Sequence, residues 1–167
     1  MPRVKSVSHG DKEKKTGAMT GEAHKGEAAE SPEDAVCQKP GNRVLIVDDE
    51  KTIRELFLRI LSYNLPDCRI DVAVNGVEAV ESFRQGRHNV LLMDLKMPLM
   101  DGEQAFQAIR EICTAEHLKM PAIIFCTGYA PPDTLDRILQ ENPNCCVLKK
   151  PVANQQLMDT IKARLNA

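Results

Sequence analysis

The sequence predicts an α/β fold: a (βα)5 unit whose five strands form one doubly wound parallel sheet. Three observations carry that prediction. Five short apolar runs occupy 43–47, 70–74, 89–93, 122–126 and 145–148, stretches of helical periodicity separate them, and the composition changes abruptly after Pro40-Gly41. Each run is bounded by a polar residue or turn, as strands buried on both faces should be. Strand–helix alternation in turn implies parallel pairing through right-handed crossovers.

Taken in order, the runs are rich in Val, Ile and Leu, except that Asp71 interrupts the second. Between them, Ile53, Leu56, Phe57, Ile60 and Leu61 form the first helical stripe. Val77, Val80 and Phe83 form the second, and Ala105, Phe106, Ile109 and Ile112 the third. Asn75 with Glu78, and Asp101 with Gln104, have capping-box spacing. Pro131-Pro132 suits the first turn of a fourth helix, and Leu157, Ile161 and Leu165 mark the fifth. Residues 1–42 contain no Leu, Ile, Phe, Tyr or Trp and balance seven basic against seven acidic side chains. They are read as a disordered tail or linker before a domain at 43–167.

Composition removes several functional classes. Lys and Arg total 22 against 24 Asp and Glu, aromatics make up 4%, and Trp is absent, so a general nucleic-acid surface is not expected. No run approaches the roughly 18 apolar residues of a membrane span. The six cysteines include no C-x-x-C pair and read as reduced thiols, and with no secretory leader the expected location is cytoplasmic.

In open parallel sheets, chemistry lies beyond the carboxyl ends of the strands. Asp48 and Asp49 end the first run, Asp94 the third, Thr127 the fourth, and Lys149-Lys150-Pro151 the fifth. Singly, such residues are ordinary turn chemistry. Together, crowded carboxylates call for a cation, and hard oxygen donors without His or Cys favour Mg²⁺ over zinc. One Asp is then left as a nucleophile toward phosphorus, with Thr127 and a Lys placed to hold phosphate oxygens.

These motifs, Val-Asp-Asp-Glu (47–50), Leu-Met-Asp-Leu-Lys-Met-Pro-Leu-Met-Asp-Gly (92–102), Cys-Thr-Gly-Tyr (126–129) and Lys-Lys-Pro (149–151), resemble the receiver domains of two-component response regulators. The resemblance spans about 42–167. It implies the flavodoxin-like, chemotaxis-type strand order 2-1-3-4-5 and a phosphoacceptor at Asp94, charged from a sensor histidine kinase or histidine phosphotransfer protein. It implies that Asp49 binds Mg²⁺ directly, that Asp48 acts largely through metal-bound water, and that the Lys96 carbonyl completes the protein ligands. It further implies that Thr127 and Lys150 contact the phosphoryl group and that the Lys150–Pro151 bond is cis. Lys149 is then a solvated neighbour, and Gly102 and Gly128 allow close backbone approach near the site.

The family pattern has an aromatic switch residue where this chain has Val147, so switching by smaller repacking is expected. Tyr129 and Lys96 flank the site, and a large Tyr129 should shield the acyl phosphate and make it long-lived. With no effector module after Ala167, the chain reads as a stand-alone receiver or one excised from a hybrid kinase. It would not be a conventional enzyme but a self-phosphorylating acceptor with slow self-dephosphorylation. Its output would be phosphorelay or protein contact through the face of the fourth helix, fifth strand and fifth helix, without direct DNA binding; homodimerisation on phosphorylation is common in the family. A pseudo-receiver binding module is the alternative. A haloacid-dehalogenase-type phosphatase would need a second Asp where Lys96 stands, and a nucleotide or flavin module would need glycines where Asp48-Asp49-Glu50 stand.

Overall fold

The computed structural model describes residues 43–128, 137, 139, 140 and 142–166. In chain order it contains β1 (Arg43–Val47), α1 (Lys51–Asn64), β2 (Arg69–Ala73), α2 (Gly76–Gly86), β3 (Val90–Met93), α3 (Gly102–Ala115), β4 (Ala122–Thr127), β5 (Cys145–Lys149) and α4 (Asn154–Leu165). This α4 corresponds to the fifth helix expected from the sequence. The helix expected at Pro131-Pro132, together with Tyr129, Cys37 and the proposed tail, lies outside the described residues; Arg137, Leu139 and Gln140 are helical.

All strand pairs are parallel and the order is β2-β1-β3-β4-β5, the order the sequence reading implied. Side chains alternate across a strand, so each central strand serves two cores. Leu45, Val47, Leu91, Met93, Ile123 and Phe125 face α2 and α3, where Phe83, Phe106 and Ile109 meet them. Val44, Ile46, Val90, Leu92 and Ile124 face α1 and α4, against Phe57, Leu61, Leu157 and Ile161. Each fully buried side chain of this size contributes about 1.5–3 kcal/mol. Phe106 and Phe125 add an edge-on ring contact at 6.4 Å. The strands hold because both faces are covered, which is why their sequences read as unbroken apolar runs.

The structure corrects several local expectations. Leu56 is 51% exposed and Val77 50% exposed, so neither belongs to the core. At 100° per residue, Leu56 lies roughly 85° from the middle of the face made by Ile53, Phe57, Ile60 and Leu61, and Val77 about 120° from Phe83. Asp101 and Gln104 form the complete reciprocal capping box. Asn75 accepts from the Glu78 N–H at 2.9 Å, but the Glu78 carboxylate accepts from the Val74 N–H instead, so that box is incomplete. Asp71 stays within β2 because Arg43, Arg69 and His88 all donate to it. Among the described residues no helix is long and apolar enough to cross a membrane.

Candidate functional site

The carboxyl edge of the sheet is extended by backbone bonds that carry the ladder one residue past the strands. The Asp94 N–H donates to the Val47 carbonyl at 2.9 Å, and the Lys150 N–H to the Thr127 carbonyl at 2.9 Å. Asp48 is held by its N–H on the Ala73 carbonyl at 3.3 Å, and its Oδ1 accepts from the Glu50 N–H at 2.9 Å. The first turn of α1 closes the same corner, where Arg54 Nη1 donates to the Asp48 carbonyl at 2.5 Å. Asp48, Asp94, Thr127 and Lys150, which sequence reasoning singled out, are therefore fixed by main-chain geometry.

Asp48, Asp94 and Thr127 are buried, while Asp49 is exposed. One carboxylate oxygen from each of Asp48, Asp49 and Asp94 lies within 4.8 Å of the others. Lys150 Nζ donates to Asp48 Oδ2 at 2.6 Å and to Asp94 Oδ2 at 2.7 Å, bridging the two buried carboxylates. Burial pulls its ammonium pKa down, but the hydrogen bonds and charges of Asp48 and Asp94 outweigh that and raise it above the ordinary lysine value. The Lys150–Pro151 peptide is cis, as expected. Lys149 is exposed beside it.

Around this centre, Lys96 is exposed and its N–H donates to Asp94 Oδ1 at 3.3 Å. Gly102, at the start of α3, packs against the Asp94 backbone: a Cβ there would lie 2.3 Å from the Asp94 carbonyl oxygen. Gly128 does not share this role, because a Cβ there would meet nothing within 4 Å. Val147 is half-buried against the α2/α3-side core. Burial pushes the neighbouring Cys126 thiol up to about 12, which leaves it inert near neutral pH. Three converging carboxylates with no soft ligand suit a hard divalent cation, and one lysine stands ready to meet additional negative charge.

The model of the response regulator receiver domain family matches residues 44–162. The chain belongs to that family. Chemotaxis protein CheY of Halobacterium salinarum is 31% identical over 125 residues, covering 75% of this chain and 98% of that protein. A protein-glutamate methylesterase/protein-glutamine glutaminase of Nocardioides is 43% identical over 89 residues, 53% of this chain but only 23% of the relative. The chain thus spans nearly all of the first relative and under a quarter of the second. Among solved structures, the receiver domain of a Pseudomonas aeruginosa sensor histidine kinase superposes with a TM-score of 0.62 at 24% identity. That alignment covers 76% of this chain and 99% of the neighbour, which is described with a magnesium ion in its active-site cleft.

In this receiver domain the structure brings together Asp48, Asp49, Asp94 and Lys150, and places the Lys96 backbone beside Asp94. Tyr129 lies outside the described residues. Sequence reasoning missed Arg54. Its only trace was the position four residues after Glu50, within reach of the turn that precedes the helix.

Proposed function

We propose that Asp94 accepts a phosphoryl group from a phosphohistidine on a sensor kinase or histidine phosphotransfer protein. The observation that carries this reading is the Lys150 ammonium, 2.6 and 2.7 Å from two buried carboxylates at the mouth of the sheet. Asp48, Asp49 and Asp94, with the Lys96 carbonyl, would hold Mg²⁺, which when bound supplies neutralising charge for phosphoryl oxygens. The magnesium ion described in the Pseudomonas neighbour supports that assignment.

An Asp94 carboxylate oxygen attacks phosphorus in line. A P–O bond forms as the P–N bond breaks, and the donor imidazole leaves with the electron pair. Lys150 pairs with the phosphoryl oxygens, and the Thr127 hydroxyl donates to one of them. Such transfer depends on positioning and charge neutralisation more than on covalent help. The ladder bonds at Asp94 and Lys150 supply the positioning.

The phosphoryl group is held by the protein itself, so the function is signalling and not turnover of an external substrate. Residues 43–167 form the receiver, residues 1–42 a tail or linker, and the setting is cytoplasmic. Output passes through phosphorelay or protein contact. Val147 replaces an aromatic swing with smaller repacking, and Tyr129 shields the acyl phosphate. The test is intact-mass analysis after incubation with Mg²⁺ and acetyl phosphate. Wild type gains about 80 Da, one phosphoryl group, and Asp94→Asn gains nothing. Equal gain in the variant, or none in a folded wild type supplied also with a phosphohistidine donor, defeats the reading.

A further inference from the structure

At the opposite, amino-terminal edge of the sheet lies a cleft of about 430 Å³. It is bounded by the end of α2, the α3–β4 connection, the residues before β5 and the end of α4. A volume of several hundred Å³ is in the usual range for a small organic ligand. Its apolar lining includes Phe83, Met120 and Leu165, and among the described residues its charged lining consists of Arg87, Lys119 and Arg164, with no Asp or Glu.

Arg87 is compensated by Glu116, 2.5 Å away outside the lining. Among the described residues, Lys119 and Arg164 form no ion pair. The wall between this cleft and the adjacent groove is His88, 3% exposed, whose Nε2–H donates to Asp71 at 2.8 Å and whose Nδ1 has no partner. An ionised Asp71 can only accept, so Nε2 carries a proton, and burial holds the imidazole pKa below its ordinary value, which leaves the ring uncharged near neutral pH. Among the described residues, the uncompensated charge of the cleft therefore rests on Lys119 and Arg164. They come from the α3–β4 connection and the end of α4, and line the same cleft as Phe83, Met120 and Leu165.

We propose that this cleft is a second binding site, for a small organic anion: a carboxylate or phosphate carried on an apolar body of about one ring. The head group lies between Lys119 and Arg164, and the body covers Phe83, Met120 and Leu165. The site is separate from the acidic edge, where Asp48, Asp49 and Asp94 disfavour anions, and it does not depend on the phosphoacceptor reading.

The test is an amide NMR titration of the full chain at fixed pH and ionic strength. The probes are phenyl phosphate, benzoate, phenol and inorganic phosphate. Saturable shifts are expected at Arg87–Asn89, Lys119, Met120, Ala122 and Asn144 with phenyl phosphate or benzoate, and the tighter of the two identifies the head group. Phenol, which lacks the charge, and inorganic phosphate, which lacks the body, should bind at least about fivefold more weakly. The double variant Lys119→Gln/Arg164→Gln should lose about tenfold in affinity with its unfolding midpoint unchanged. No saturation by about 20 mM with either aryl anion, equal affinity in the double variant, or shifts confined to Asp94, Thr127 and Lys150 would each overturn the proposal.

Discussion

Lys150→Met is the substitution that most directly probes the bridge between Asp48 and Asp94. Met retains much of the stem's packing, so no large cavity forms and the loss is chiefly that of the ammonium. Asp48 keeps its Oδ1 bond to the Glu50 N–H but loses its partner on Oδ2, and Asp94 loses its partner on Oδ2 as well. Removing one member of a buried ion pair typically costs about 3–5 kcal/mol. The Lys150 side chain is 15% exposed, which places the expected cost near the lower end, about 3 kcal/mol. For a domain of this size that is a fall of roughly 10–15 °C in midpoint. Urea unfolding near neutral pH in EDTA measures it. Adding Mg²⁺ should restore more stability to the variant than to wild type, because a divalent cation supplies the charge that the lysine carried. A loss below about 1 kcal/mol, or a loss insensitive to Mg²⁺, would refute both the strength of the bridge and the fitness of the carboxylates for a cation.

Three further outcomes follow from particular contacts. Gly102→Ala places a Cβ 2.3 Å from the Asp94 carbonyl oxygen and 2.9 Å from the Leu95 Cα. It should cost about 2 kcal/mol in denaturant titration and slow acetyl-phosphate labelling of Asp94; wild-type values in both would contradict the close approach. Leu99 has φ 68° and is 86% exposed, so Leu99→Gly relieves left-handed strain without losing burial and should raise stability by about 0.5 kcal/mol. A fall on that substitution would show that the side chain packs.

The third outcome concerns pH. Burial, outweighing the hydrogen bond and charge of Asp71, holds the His88 pKa below its ordinary value. The unfolded chain therefore takes up that proton first. The His88 contribution is complete above about pH 6.5 and is lost as pH falls from there toward the folded-state pKa. Burial pushes Asp71 up, but His88, Arg43 and Arg69 bring it down overall, so its contribution is present above about pH 3.9 and is lost below as pH falls through its folded pKa. Midpoints recorded between about pH 7.5 and 5 should fall in wild type and flatten in His88→Gln; equal slopes would exclude His88 as the source.

The strands were legible because covering both faces of a parallel sheet demands apolar residues at every position, and β1 appears with the bounds its sequence suggests. β2 was harder to read: Asp71 looked like an interruption, and the three donors that accommodate it come from β1, β2 itself and the segment before β3. Helix stripes over-predicted burial at Leu56 and Val77, since spacing alone does not locate the centre of the buried face. The acidic edge was legible because each residue ends a strand, and strand ends converge by topology. The double contact of Lys150 and the Arg54 bond to the Asp48 carbonyl were not, because both depend on where a long side chain comes to rest.

The Lys150–Asp48 contact joins residues 102 positions apart, and Lys150–Asp94 joins residues 56 apart. On a ribosome adding about 5–20 residues per second, Asp94 is made roughly 3–11 s before the lysine that bridges it to Asp48. During that interval the nascent chain carries its acidic residues without their eventual counter-charge, and β5 has not yet been added beside β4. The edge that gathers negative charge is therefore completed by β5, the last of the five sheet strands in chain order. A chain truncated before Lys150 would have the carboxylates but not the bridge, and the acidic edge acquires its counter-charge only once β5 has been made.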